Sequence, residues 1–248
     1  MPIKIRFNYL QIEYIDHFVL AFIRANQQTF DKGTNLTLYV PSAHNTNNVQ
    51  QIWNDFVREI WPIFAPNIRH LNFVNGNHLD NLRRHTSPTV LTDLNQLNSI
   101  DSENLLPDSI DDDGPNSTAG QALTKWLNTP TSNGQPKQLS CRERYDHTSN
   151  TKRMITSFKE AFLRATTSLA SYIRIGYIEK TKIGPFELVN ERTNEMLALV
   201  KEENNNYDEW DELWIMKRCQ IGKTIQWVNK KTNKMNTVKF HMHYEFGP

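Results

Sequence analysis

The chain has 248 residues, and its 28 Lys and Arg residues nearly balance its 27 Asp and Glu residues, which leaves a formal net charge of +1. Proteins that bind nucleic acid or acidic membranes through overall charge carry a basic excess, so this balance argues against both partners. Two cysteines cannot form a disulfide framework, and the charged residues 1–6 resemble neither a secretory signal nor a membrane span. We therefore expect a folded cytoplasmic or nuclear protein.

Hydrophobic periodicity in the first part of the chain alternates between the spacing of strands and that of helices. Apolar residues at every second position predict strands around Ile5 and Leu36. Helical spacing predicts helices over residues 15–23 and 49–60. The second helix is expected to end at Trp61-Pro62 and Pro66, because proline lacks the amide hydrogen that continues a helix.

Inward-facing apolar positions recur further along the chain. Residues 68–76 have the apolar spacing typical of a leucine-rich-repeat strand, and further helices are expected near residues 79–82, 122–127 and 155–165. Equivalent strand positions are separated by roughly 26 to 42 residues, within the range of solenoid repeats. The longest interval contains residues 107–118, which we expect to be an inserted loop. The equivalent positions are Ile5, Leu36, Leu71, Leu97, Leu139 and Ile173.

These patterns predict an α/β fold in which irregular leucine-rich-repeat-like strand–helix layers are followed by a small antiparallel β meander. We assign the layers to a recognition region over residues 1–180. Three short apolar segments joined by polar turns predict the meander over residues 183–222, packed on the first region. Residues 223–248 are expected to form a tail with a possible strand from residue 238 to 246.

Two residue patterns that could hold a metal ion are incomplete. The acidic run at residues 111–114 would need an Asp and a Glu at the two ends of an EF-hand loop, but Ser109 and Gly120 occupy those positions. His241 and His243 would share one face of a strand, but the sequence near them supplies no further ligands. We expect a solvated acidic loop and surface histidines.

Catalytic patterns are equally incomplete. Cys141, Asp146 and His147 could supply a nucleophile and a base, but such close neighbours in sequence are rarely arranged for that work. Cys141 stands at an inward strand position, which favours a buried thiol. The sequence has no glycine-rich phosphate loop and no nucleophile elbow. We therefore expect no catalytic residues, no metal, no cofactor and no enzymatic activity.

The remaining candidate for function is a binding surface. In leucine-rich-repeat-like layers, the residues between the inward apolar positions face the open side of the sheet. We expect these residues to contact a partner, although polar residues on an exposed sheet face can also serve solubility alone. The predicted partner-binding residues are Arg6, Thr37, Asn72, Asn98, Ser140 and Arg174.

Four segments resemble a large F-box protein family of plant-parasitic nematodes. They are residues 120–130 (GQALTKWLNTP), 134–137 (GQPK), 185–199 (PFELVNERTNEMLAL) and 214–222 (WIMKRCQIG). The resemblance covers the chain from about residue 5 to residue 222.

In that family these segments lie downstream of an F-box and form the substrate-binding part, while the F-box docks on a Skp-type adaptor of a cullin ubiquitin ligase. The resemblance therefore implies a non-catalytic protein-recognition module with an unknown protein partner. This chain begins at its first predicted strand, so we expect adaptor docking only if an F-box is supplied upstream, and we assign no adaptor-binding residue. The alternative is a stand-alone interaction protein, a decoy or an effector, with no role in ubiquitin ligation.

Overall fold

The computed structural model describes residues 9–12, 17–30, 34–39, 46–73, 77–103, 105–131, 134–143, 148–177, 184–202, 212–222 and 236–241. The strands are β1 Tyr9–Ile12, β2 Thr34–Tyr39, β3 Ile68–Phe73, β4 Ser99–Glu103, β5 Lys137–Glu143, β6 Ser171–Tyr177, β7 Phe186–Asn190, β8 Glu195–Glu202, β9 Glu212–Gln220 and β10 Asn236–His241. The helices are α1 His17–Ala25, α2 Gln27–Phe30, α3 Thr46–Asp55, α4 Trp61–Phe64, α5 Asn77–His85, α6 Val90–Asp93, α7 Ala119–Asn128 and α8 Thr148–Arg164.

Within the described residues, all strands join one mixed sheet in the order β1-β10-β2-β3-β4-β5-β6-β9-β8-β7. The strands from β1 to β6 in this order are parallel. The pairs β6–β9, β9–β8 and β8–β7 are antiparallel. The predicted α/β class is therefore confirmed, as is the antiparallel meander, whose strands continue the same sheet.

The two faces of the sheet differ in character because side chains alternate along each strand. On one face, called the helical face, Leu36, Leu71, Ile100, Leu139 and Ile173 are buried in register across five strands. They share a single core with the helices, to which α3, α5, α7 and α8 contribute Trp53, Leu82, Trp126 and Phe162. Consecutive parallel strands with right-handed crossovers place their helices on one face, which accounts for this layer.

Strand β4 starts later than the sequence predicts. Leu97, the expected inward position, precedes the strand because its N–H donates to the Leu94 carbonyl and closes a turn. Ile100 instead stands beside Leu71 in the sheet. The predicted inward position of β4 is therefore wrong by three residues. Ile5, the predicted inward position of the first strand, lies outside the described residues.

The helix of residues 46–55 runs past Trp61 and Pro62, the first predicted stop, and its α-helical part ends at Phe64, just before the second predicted stop at Pro66. A π-helical turn, Phe56–Ile60, carries it into α4, and a 3₁₀ turn, Ala65–Asn67, leads into β3. The Trp61 N–H donates to the Phe56 carbonyl, five residues back. This wider turn directly precedes Pro62, which has no N–H to give to a regular α-helical bond.

The loop predicted over residues 107–118 is present and is held against α5. The buried Arg83 guanidinium donates to the carbonyls of Pro88, Gly114 and Ser117 at 3.1, 3.1 and 2.7 Å. Asp113 accepts from the hydroxyl of Thr92 on α6 at 2.8 Å. The acidic run is thus tied to the helices by specific hydrogen bonds.

No helix among the described residues is long and apolar enough to cross a membrane.

Candidate functional site

Four of the predicted binding residues stand side by side on the face of the sheet opposite the helical face. The register pairs Thr37 with Asn72, Asn72 with Asp101, Asp101 with Ser140, and Ser140 with Arg174. These five residues, one from each strand from β2 to β6, are called the polar row below. Thr37 is buried, whereas the other four are half-buried and reach solvent.

Asp101, rather than Asn98, is the member that β4 contributes to the polar row. Asn98 lies just before the strand, where its N–H donates to Arg69 and its carbonyl accepts from Gln138. Ile100 is the one apolar residue among residues 98–103, so the local sequence shows no alternation that would have identified Asp101.

Arg6 lies outside the described residues. The register of β1 and β10 continues the row instead with the backbone positions of Gln11 and Lys239.

A second line of polar residues lies beside the polar row, two positions nearer the start of each parallel strand. This line contains four buried residues that are aligned in register: His70, Ser99, Gln138 and Tyr172. His70 Nδ1 lies 3.1 Å from the Ser99 carbonyl oxygen, which can only accept, so Nδ1 carries a hydrogen. Its Nε2 lies 3.4 Å from Oδ2 of Asp101. The buried imidazole therefore lies beside the carboxylate of the polar row, to which it donates a hydrogen bond only when Nε2 also carries a hydrogen.

The polar row offers both kinds of charge and both kinds of hydrogen-bonding group. Asp101 accepts, Arg174 donates, and Asn72 and Ser140 can do either. Asp101 and Arg174 are two strands apart, a separation of roughly 10 Å along the sheet. Such a row can bind polar groups of a partner.

Apolar residues continue the same face beyond Arg174. Ile215 of β9 pairs with Arg174 in register, and Ala198 and Tyr172 lie close by in the next line. All three are buried, yet none belongs to the core of the helical face. The ammonium group of Lys217 lies 5.7 Å from the Tyr172 ring centroid.

The residues considered for catalysis are placed as follows. Cys141 is buried on the helical face, where its sulfur lies 3.7 Å from the Ser102 hydroxyl oxygen. Asp146, His147 and His243 lie outside the described residues, and His241 ends β10. In the described part of the chain, no group of three or more His, Cys, Asp or Glu side chains is arranged to hold a metal ion.

A buried ion pair and a buried lysine lie on the helical face, away from the polar row. Glu195 is fully buried, and its Oε2 accepts from Nε and Nη2 of Arg218 at 3.2 and 2.9 Å. Its Oε1 accepts from the Ser168 hydroxyl and the Leu169 N–H at 2.9 and 2.8 Å. This buried, hydrogen-bonded pair joins the meander to the segment before β6, which is a structural role.

The other group is Lys137 at the start of β5. Its ammonium group donates to the Trp126 carbonyl at the end of α7 and lies 4.9 Å from the Trp126 ring centroid. Burial lowers the pKa of Lys137 to about 7. Neither Lys137 nor the Glu195–Arg218 pair was identified from the sequence, because burial of a charge depends on neighbours distant in the chain.

Comparison with known proteins identifies no relative: no protein-family model, curated protein or solved structure matches the chain.

Proposed function

We propose that this protein is a non-catalytic recognition module that binds a polypeptide partner through the polar row. The observation that carries the proposal is the row itself: half-buried acidic, basic, amide and hydroxyl side chains aligned on the sheet face opposite the helices. A peptide presents donors and acceptors together, which suits a surface with both.

The dimensions and charge of the surface support a protein partner over nucleic acid. From β2 to β6 the row extends over four strand spacings, roughly 19 Å. Asp101 and Arg174 balance each other, whereas a phosphate backbone favours an excess of positive charge.

Leucine-rich-repeat-like layering is part of this proposal. Strands β2 to β6 are parallel neighbours in chain order, and helices lie in their connections. A solenoid of strand–helix units has the same order and uses the strand face for recognition. The resemblance of residues 120–137 and 185–222 to the nematode F-box family supports a module similar to the substrate-binding part of an F-box ubiquitin-ligase adaptor, acting in the cytoplasm or nucleus.

The test is a peptide-display selection on the immobilised chain, followed by binding titrations of the selected peptides. Arg174→Glu should weaken binding by about tenfold or more, because it replaces the basic end of the polar row with a second acid. Arg164→Glu is the matched control: Arg164 is exposed on α8, and the same charge change there should leave affinity unchanged. Selected peptides that bind Arg174→Glu as well as the wild type, with both proteins folded, would refute the proposal.

The ubiquitin-ligase role is tested separately by mapping the 5′ end of the transcript. An F-box encoded upstream would link the module to a Skp-type adaptor. A start at Met1 would favour the stand-alone interaction protein instead, with the same binding surface.

A further inference from the structure

The helical layer contains a concave site that is separate from the polar row. A cleft of about 620 Å³ lies between the π-helical turn with α4 on one side and the segment from the end of α5 to Gln96 on the other. Its volume falls within the range of small-molecule sites, roughly 300–1,000 Å³. The cleft is therefore large enough to hold a compact organic ligand.

One wall of the cleft is apolar and aromatic. Val57, Trp61 and Ala65 follow one another at four-residue intervals along the helix and all three line the cleft. Trp61 is half-buried, so part of its ring is available to a ligand. The π-helical turn positions this row, and π-helical turns occur frequently at functional sites because they are costly to keep otherwise.

The facing wall is held rigidly and carries no positive charge at neutral pH. His85 stacks on the buried Trp53 ring, with centroids 5.7 Å apart and planes at 5°. Burial, and to a smaller extent the charge of Arg84, lowers the pKa of His85. The neutral imidazole and the buried Val90 therefore continue the apolar lining.

Asp93 supplies the negative charge at the mouth of the cleft. Among the described lining residues it is the one with a carboxylate, and it is exposed. Its Oδ2 accepts from the Thr89 hydroxyl at 2.8 Å, which fixes the group's orientation. A carboxylate can accept about four hydrogen bonds, so this single bond leaves it able to accept more.

We propose that this cleft binds a small aromatic amine. The aromatic ring packs against Trp61 and the apolar lining, where ring–ring contacts add to the burial of apolar surface. The ammonium group is directed to Asp93, whose charge it complements. This ligand site goes beyond the proposed protein-recognition function and does not depend on it.

The experiment compares two ligands that share a ring and a two-carbon spacer but carry opposite charges. Phenethylamine and 3-phenylpropionate are titrated into the full chain and followed by saturation-transfer NMR. Phenethylamine should bind with a Kd of about 1 mM, a reasonable affinity for a ligand of this size. The anion should bind at least about fivefold more weakly because Asp93 repels it. Equal binding of both ligands, or no binding of phenethylamine at about 10 mM, would overturn the proposal.

Substitutions identify the site. Asp93→Lys should reverse the preference so that 3-phenylpropionate binds better, and this exposed change should leave the fold intact. Ala65→Phe should fill the cleft and abolish phenethylamine binding, whereas Ala21→Phe, at an exposed position of α1, should not. Phenethylamine binding that survives both Asp93→Lys and Ala65→Phe would place the ligand elsewhere and refute the assignment.

Discussion

Lys137 is a lysine whose ammonium group lies inside the molecule, against the last turn of α7. Burial lowers its pKa to about 7, from an ordinary value of 10.5. Between these two values the unfolded chain holds a proton on Lys137 that the folded chain has released. The free energy of unfolding should therefore rise as the pH increases through this window.

Replacing Lys137 by Met should remove this rise in stability. Urea unfolding is measured at about pH 7 and about pH 9.5. Between these pH values we expect the free energy of unfolding of the wild type to rise by roughly 1–3 kcal/mol more than that of Lys137→Met. Lys125→Met is the matched control, since Lys125 is a half-buried residue of α7 and its loss should leave the wild-type gain in place. Equal pH dependence in the wild type and Lys137→Met would show that the buried amine keeps its proton.

At the scale of single elements, α7 depends on a glycine in its first turn. Thr118 and Gln121 form a reciprocal capping box at the start of the helix. A Cβ atom on Gly120 would lie 2.9 Å from the Leu106 carbonyl oxygen and 3.4 Å from the Asp108 Cβ atom. The inserted loop thus packs directly on the helix start, and only glycine leaves room for it.

Gly120→Ala should destabilise the protein by about 1–3 kcal/mol, although alanine is the better helix former, because the loop backbone must move away. Urea unfolding measures the difference. Gly184→Ala is the control, since nothing lies within 4 Å of a Cβ atom there, and it should change stability by less than about 0.5 kcal/mol. An unchanged or higher stability for Gly120→Ala would mean that the contact with Leu106 is not close.

The elements that the sequence predicted correctly are those with a strong local pattern. Alternation around Leu36, Leu139 and Ile173 predicted β2, β5 and β6, because half-buried strands bury every second residue. The start of β4 was missed because Leu97 and Ile100 are both apolar, and only pairing with the neighbouring strands decides which one enters the sheet. The continuation of the helix past Pro62 was missed because a widened turn has no clear sequence signal.

At the scale of the whole molecule, the meander is joined firmly to the parallel strands. Strands β6 and β9 pair over seven residues of each strand. The buried Glu195–Arg218 pair adds contacts on the helical face, where Arg218 Nη2 also donates to the Thr167 carbonyl at 3.1 Å. These connections predict that the regions assigned to residues 1–180 and 183–222 unfold together.

Fluorine NMR of protein labelled with 5-fluorotryptophan tests this expectation, because Trp126 reports on the first region and Trp214 on the meander. Both native signals should disappear at the same urea concentration. Arg218→Ala should lower both midpoints together, since it leaves a buried carboxylate unpaired at a cost of about 3–5 kcal/mol. Loss of the Trp214 signal at clearly lower urea than the Trp126 signal would establish two independent units.

The candidate site was predictable only in part. Alternation within single strands predicts which residues face away from the helices, and the register aligns four of the predicted ones: Thr37, Asn72, Ser140 and Arg174. The proximity of Asp101 and the imidazole of His70 depends on the register between strands, which a single strand's sequence does not contain. The insertion of β10 between β1 and β2 is likewise decided by pairing between distant parts of the chain.

The sequence by itself determined the α/β class, most strand and helix positions, the inserted loop and the polar character of one sheet face, because these depend on local hydrophobic periodicity. Only the tertiary structure decided the strand order, the members of the polar row, the burial of Lys137 and the cleft lined by Trp61, His85 and Asp93. The physical reason is that burial and side-chain proximity arise from contacts between segments far apart in the chain, and such contacts exist only in the folded molecule.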